Sequence, residues 1–393
     1  MFPDYLLNTD IQDFITKNTE SNIHNLALQK NPFPEFNYTE IINQIIAKVK
    51  SKNKLLTWFN AENIVYPSKI SIEQTSSEVT AKYKMNIVSG ENLIDLTGGF
   101  GVDDFYFSKK INQVIYCELN SDLSEIVKHN FKILNQKNIK CISGDSLKTL
   151  QKLNQKFDWI YIDPSRRNDS KGKVFMLHDC QPNVPELLEN YFLYTNNILI
   201  KTAPILDISA GLNELKNVKK IHIVAINNEV KEILWELEKN YNNKIFIKTV
   251  NFNKTKEENF DFILSTKPIK KTYSEPKIYL YEPNSAILKS GAFELISDKF
   301  DVQKLHQHSH LYTSDEVIDF PGRIFKIDNH FEYNKSQMKQ FLENSKANIT
   351  IRNFPETVEN IRKKWKIKDG GNVYTFFTTN ANNRKIVLLC AKI

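Results

Sequence analysis

From Asn92 onward the chain alternates short apolar runs with amphipathic stretches, and this alternation limits what it can fold into more than any other feature. The apolar runs are Asn92 to Thr97, Gln113 to Glu118, Ile139 to Ser143, Asp158 to Asp163 and Asn196 to Lys201, and Lys220 to Asn227 and Lys244 to Phe252 continue the series. Helical periodicity lies between them, clearest in Ser121 to Leu134 and Val184 to Tyr194. Strands that recur with a helix between them pair in parallel, because a parallel neighbour is reached only by a crossover. The expected fold is α/β, a doubly wound and mostly parallel sheet that ends near Pro268.

The flanks read differently. In the first 70 residues, Asn37 to Ala47 has helical periodicity with Thr39 as its N-cap, which predicts a small helical cap closed by Pro67. Ser71 to Lys84 reads as a polar loop running into a helix. After the basic linker Lys267 to Lys271 come two short α+β units. The second has strands expected at Arg323 to Tyr333, Ala347 to Asn353, Val373 to Thr379 and Lys385 to Cys390, with helices at Lys335 to Asn344 and Pro355 to Lys364. The expected domains are 1–70, 71–270, 275–322 and 323–393.

At 393 residues and 41% hydrophobic, the chain is too apolar for disorder and too long for one ordinary core. No run approaches the roughly 20 apolar residues of a membrane span, and the start is neither basic nor followed by a signal-like stretch. A cytoplasmic protein without a membrane partner is the expectation. Cys117, Cys141, Cys180 and Cys390 are scattered, without metal-ligand spacing, so they read as reduced packing residues and no metal is expected. The charge is uneven: Arg323 to Ile393 holds 14 Lys and Arg against six Asp and Glu, more than the whole net charge of +7. That excess is either a solvated face or a footprint for a polyanion such as RNA.

The chemistry gathers at the strand ends. Asp95-Leu96-Thr97-Gly98-Gly99-Phe100-Gly101 is a glycine-rich turn after a strand, which lets the backbone approach a ligand closely, and its spacing departs from the dinucleotide pattern. Glu118 ends the next strand about 20 residues on, where a carboxylate can accept both hydroxyls of a ribose. Asp145 and Ser146 follow the third strand, where an acid could take an adenine amino group, and Asp163-Pro164-Ser165-Arg166-Arg167 follows the fourth. Helix capping is the plain alternative for Asp145 and Asp163.

This order of motifs resembles class I S-adenosylmethionine-dependent methyltransferases over roughly Ser71 to Pro268, which implies a Rossmann-like sheet. More narrowly, Glu73 to Glu78, Asp163 to Arg167 and Leu177 to Cys180 resemble a bacterial group of these enzymes with a C-terminal THUMP-like domain. Tyr281 to Ile287 and Leu311 to Ser314 look like that group's small ferredoxin-like part, and Arg352 to Pro355 and Lys366 to Gly371 like its THUMP-like end.

The resemblance implies S-adenosylmethionine as cofactor, bound by Gln74, Ser76, Ser77, Asp95, Thr97, Gly98, Gly99, Phe100, Gly101, Glu118, Asp145, Ser146 and Asp163. In related amino-methylating enzymes an acid or amide before a Pro-Pro-aromatic run holds the target amine. Asp163 and Pro164 match its first half, while Ser165 and Arg166 depart from the second. Asp163, Pro164 and Arg166 are therefore the catalytic candidates. Arg166 and Arg167 could meet substrate phosphate or form structural ion pairs. His178 with Asp179 is a candidate proton acceptor, and Lys201 to Pro204 a loop that could bound the target pocket. THUMP domains bind RNA in related enzymes, so the leading expectation is methylation of a base nitrogen in tRNA or rRNA. The alternatives are a protein or small-molecule methyltransferase with a structural tail, and a non-catalytic RNA-binding protein.

Overall fold

The computed structural model describes residues 3–67, 69–166, 176–254, 256–268 and 272–393, which divide into two compact units. Unit 1 comprises Met1–Lys219 with Leu234–Asn243, and unit 2 comprises Lys220–Ile233 with Lys244–Ile393.

The strands, in chain order, begin with β1 (Asn92–Asp95), β2 (Gln113–Glu118), β3 (Ile139–Ser143) and β4 (Trp159–Ile162). The short pair β5 (Ser165–Arg166) and β6 (Cys180–Gln181) precedes β7 (Asn197–Thr202). In unit 1 these form a parallel ladder in the order β7-β4-β1-β2-β3. Every residue of β4 and four of the six in β2 are buried, as strands covered on both faces require. The intervening helices are capped mostly by short polar side chains. Asn120 accepts from the Leu123 amide, Asp145 from Lys148 and Asn183 from Glu186. Such a cap contributes about 1 kcal/mol by satisfying an amide the helix leaves unpaired.

The N-terminal helices Thr9–Lys17, Ile23–Ala27 and Tyr38–Ser51 bury Ile11, Ile15, Leu26, Ile41 and Ile45 in one apolar cluster. The cap of the third helix is Asn37, which accepts from the Thr39 amide; Thr39 lies inside the helix instead of capping it. The expected polar loop after Ser71 is helical through Gln74, and a second helix, Glu78–Ile87, begins at the Ser77 cap.

Unit 2 contains most of β8 (Val218–Ile226), the first half of β9 (Glu229–Glu238), β10 (Phe246–Phe252) and β11 (Glu257–Ile263). β10 runs parallel to β8 and antiparallel to β11. Neither β9 nor β11 is among the strands expected from sequence. The other strands are β12 (Tyr279–Pro283), β13 (Gln303–Lys304), β14 (Tyr312–Ser314), β15 (Gly322–Glu332), β16 (Asn348–Ile351), β17 (Val373–Thr379) and β18 (Lys385–Lys392). They form a single sheet in the order β13-β14-β12-β15-β18-β17-β16, antiparallel except for β16 beside β17. Phe376, Phe377 and Trp365 are buried in its apolar clusters, and the half-buried Phe354 packs against one of them.

Among the described residues, no helix is long and apolar enough to cross a membrane. Cys117, Cys180 and Cys390 are buried; burial pushes the Cys117 thiol up to about 11, which keeps it protonated at neutral pH.

Candidate active site

A parallel ladder points all its carboxyl ends to one edge, and in unit 1 each end carries a polar group. The glycine turn after β1 is fastened to the end of β2. The Gly98 amide donates to the Cys117 carbonyl at 2.9 Å, the Gly99 amide to Glu118 Oε2 at 2.9 Å, and the Tyr116 hydroxyl to the Gly99 carbonyl at 2.8 Å. A Cβ on Gly98 would lie 2.2 Å from the Tyr116 ring, so packing alone demands glycine there. Gly99 differs: its φ is +55°, yet the nearest atom a Cβ would meet is 3.7 Å away. There the positive φ, not crowding, favours glycine.

Glu118 accepts from Gly99 on one oxygen and from the Asn120 amide, at 2.8 Å, on the other. Each carboxylate oxygen accepts more than one donor, so Glu118 fits a vicinal diol while still holding the turn. Asp145 is exposed and caps the helix Ser146–Leu153, its Oδ1 accepting from the Lys148 amide at 3.0 Å, while Ser146 is buried.

The ends of β1 and β4 are joined through a hydroxyl. Thr97 Oγ1 donates to Asp95 Oδ1 at 3.1 Å and accepts from the Asp163 amide at 2.6 Å. Asp163 is half-buried and its Oδ2 forms an ion pair with Lys201 Nζ. The register explains the pair: Ile162 stands opposite Ile200, so the next residues on the two strands, Asp163 and Lys201, are neighbours at the edge.

Beneath the turn lies a charged cluster that the sequence reading did not anticipate. Lys84, fully buried, stands 3.2 Å from Asp103 Oδ1. Asp103 Oδ2 accepts from the Ser76 and Tyr161 hydroxyls at 2.7 and 2.9 Å, and Lys84 Nζ donates to Ser76 Oγ at 3.1 Å. Burial acts to raise the Asp103 pKa, but Lys84, Lys201 and the two hydroxyls outweigh it and hold this carboxyl below its ordinary value. Asp95 and Asp104 form the opposite case. Burial raises both, helped by the charge of Asp103; Asp95's charge and hydrogen bond push Asp104 further up, well above the carboxylate range, while the hydrogen bond from Asp104 and those from Thr97 hold Asp95 to about 8, so this pair holds a proton at neutral pH.

The candidates from sequence therefore separate by setting. Asp95, Thr97, Gly98, Gly99, Glu118, Asp145, Asp163 and the half-buried Pro164 lie on the strand-end turns. Gly101, with φ +73°, caps the helix Val102–Phe107. Phe100 is in the core, its ring centroid 6.1 Å from Trp58 and 6.2 Å from Tyr66. Ser76 belongs to the charged cluster, Ser77 caps the next helix through the Thr80 amide, and Gln74 is exposed. The Arg166 side chain and all of Arg167 lie outside the described residues. His178 is 3.7 Å from Asp179 but its Nδ1 meets Glu214 Oε1 at 2.6 Å, and the same carboxylate accepts the Leu177 and His178 amides. Glu214, 36 residues on, was not a sequence candidate. Among the described residues, no group of three or more His, Cys, Asp or Glu could hold a metal ion.

Three family models match the chain: a model described as conserved hypothetical protein 95 over residues 43–184, a ferredoxin-like domain over 279–321 and a THUMP-domain-like model over 322–392. An uncharacterized RNA methyltransferase of Clostridium acetobutylicum is 29% identical over 162 residues, which cover 38% of this chain and 35% of that protein. The chain thus spans about a third of that relative's length. A crystal structure described as "putative methyltransferase from Porphyromonas gingivalis W83" is 30% identical and superposes with a TM-score of 0.87, covering 100% of this chain and 99% of that one. A match over both full lengths, with the C-terminal models in the same chain, identifies the family: the chain belongs to the class I S-adenosylmethionine-dependent methyltransferases that end in ferredoxin-like and THUMP-like domains.

Proposed function

We propose that this protein transfers a methyl group from S-adenosylmethionine to tRNA or rRNA. The observation that carries the reading is the single strand edge on which the uncrowded Gly99, the carboxylate of Glu118 that holds it, the exposed Asp145 and the paired Asp163 occur together. Glu118 accepts the ribose hydroxyls, Asp145 takes the adenine amino group while still capping its helix, and Gly98 to Gly101 lets the backbone lie against the ligand. The cofactor supplies an electrophilic methyl on a sulfonium. The protein then has to hold the acceptor in line with that methyl and exclude water. Asp163 and Pro164 border the acceptor. Arg166 and Arg167 follow directly in sequence, where guanidinium groups would suit phosphate.

The RNA part of the reading rests on the C. acetobutylicum relative, the THUMP-like match and the excess of basic residues from Arg323 to Ile393. Phosphate contacts give position and affinity while a separate pocket selects the site. We retain 1–70, 71–270, 275–322 and 323–393 as functional divisions of the chain. On the motif alone the acceptor is a base nitrogen opposite Asp163; the ion pair Asp163 makes argues for another atom of the same RNA.

The test is calorimetric titration with S-adenosylmethionine, paired with tritium transfer into RNA from cells lacking the protein. Wild type should bind and label a discrete RNA, and Glu118→Ala should lose binding while remaining folded by circular dichroism. Equal titration heats from wild type and Glu118→Ala would sink the pocket assignment; binding without RNA labelling would move the acceptor to a protein or small molecule.

A further inference from the structure

We propose that the acceptor atom is the 2′-hydroxyl oxygen of a ribose, with Lys201 and Asp163 acting as a catalytic pair on it. The inference rests on the RNA methyltransferase reading and names the atom within it.

Asp163 and Lys201 are adjacent across the β4–β7 ladder and ion-paired, with side chains 34% and 12% exposed. The Asp163 backbone is fixed by Thr97 Oγ1, which holds its amide at 2.6 Å. The neighbouring carboxylate cannot substitute: Asp103 also feels the Lys201 charge, but its oxygens are committed to Lys84, Ser76 and Tyr161. The edge therefore presents an ammonium and a carboxylate together.

Nitrogen and oxygen acceptors respond oppositely to such a pair. An amine becomes cationic as the methyl arrives, and a lysine ammonium beside it opposes that charge. A hydroxyl is a poor nucleophile until its proton leaves, so it gains from a carboxylate that takes the proton and a cation that stabilises the oxygen's developing negative charge. The sequence after Asp163 agrees. Pro164 is followed by Ser165, where a base-holding site would place a second proline and then an aromatic ring to stack on the base. A ribose hydroxyl needs no such ring, and it is the group that distinguishes RNA from DNA.

The step balances. The hydroxyl oxygen forms its bond to the methyl carbon as the carbon–sulfur bond breaks, and sulfur keeps that electron pair as a neutral thioether. The hydroxyl proton passes to the Asp163 carboxylate and then to water, while Lys201 keeps its own protons.

The experiment uses the full chain, tritiated S-adenosylmethionine and RNA from cells lacking the protein, followed by complete alkaline hydrolysis. Alkali cleaves RNA through the free 2′-hydroxyl, so a methylated one leaves the label in a resistant dinucleotide. Label in dinucleotides is the expected result. Label in mononucleotides would assign a base and overturn the inference while leaving the RNA methyltransferase reading intact. No label in any RNA would overturn that reading and the inference with it. Lys201→Met should lower transfer about 100-fold or more with cofactor binding unchanged, and Lys201→Arg, which keeps the charge, should retain more activity than Lys201→Met. Full transfer by a folded Lys201→Met protein would remove Lys201 from the reaction.

Discussion

Two buried carboxylates, one in each unit, solve the same problem in different ways. Asp103 in unit 1 is paired with Lys84, whose side chain is wholly buried, and with two hydroxyls. Glu282 in unit 2 is equally buried but bonds Arg323 and Arg352, whose side chains are about one-third exposed. It accepts Arg323 Nε at 2.6 Å, and Arg352 Nε and Nη2 at 3.1 and 2.8 Å. Removing Lys84 would leave the buried Asp103 charge to Lys201 and two hydroxyls, with no water to replace the lost cation, whereas either arginine can be lost while its partner and solvent remain. The first arrangement is brittle and involves Asp103, two residues beyond the glycine turn. The second is a redundant strut between β12, β15 and the residue after β16.

The sharpest way to break this contrast is Lys84→Met, expected to cost about 3–5 kcal/mol as the loss of one member of a buried pair does. Urea denaturation measures it; a cost below about 1 kcal/mol would put Asp103 in contact with water and erase the difference between the units. Next comes pH. Asp95 and Asp104 have raised folded pKa values, so the folded state binds more protons than the unfolded state between the ordinary carboxylate value near 4 and about 8. Their contribution to stability must fall as pH rises through that window, by up to about 1.4 kcal/mol per pH unit for one proton. Asp104→Asn should flatten the slope of urea stability against pH from 5 to 8; an unchanged slope would mean that the pair is ionised. Glu282→Gln should cost less than Lys84→Met, about 1–2 kcal/mol, because the arginines left behind can reach solvent. Arg352→Ala should cost least, about 1 kcal/mol or below in the same denaturation series, since Arg323 still meets Glu282.

The glycine turn and the five strand ends were legible because their physics is local. A turn needs its glycines, a buried strand needs an apolar run, and β2 and β3 fall where their sequences place them. Other features depend on tertiary partners. Lys84 shares the buried face of its helix with Thr80 and Ala81, but a lysine in a helical pattern reads as solvated until Asp103, 19 residues away, is known to face it. The Asp163–Lys201 pair was hidden for the same reason: each motif was visible, but only the ladder register sets them side by side. Strand β9 did leave a signal. Asn227 and Asn228, at φ +49° and +64°, form the tight turn between β8 and β9, and an Asn-Asn pair between two apolar runs is a hairpin cue. Thr39 illustrates a different ambiguity, since Asn37 has the same capping chemistry two residues earlier.

The single sheet that spans residues 279–392 has a consequence for how this region can be inherited or dissected. The ferredoxin-like match ends at Pro321 and the THUMP-like match begins at Gly322, yet β12 on one side of that border is hydrogen-bonded along its length to β15 on the other. Cutting the chain between them would create two raw strand edges, each a template for pairing with another molecule. The two sequence families are therefore halves of one physical object, which must be copied, lost or expressed together, and either half alone should come out of solution as aggregate.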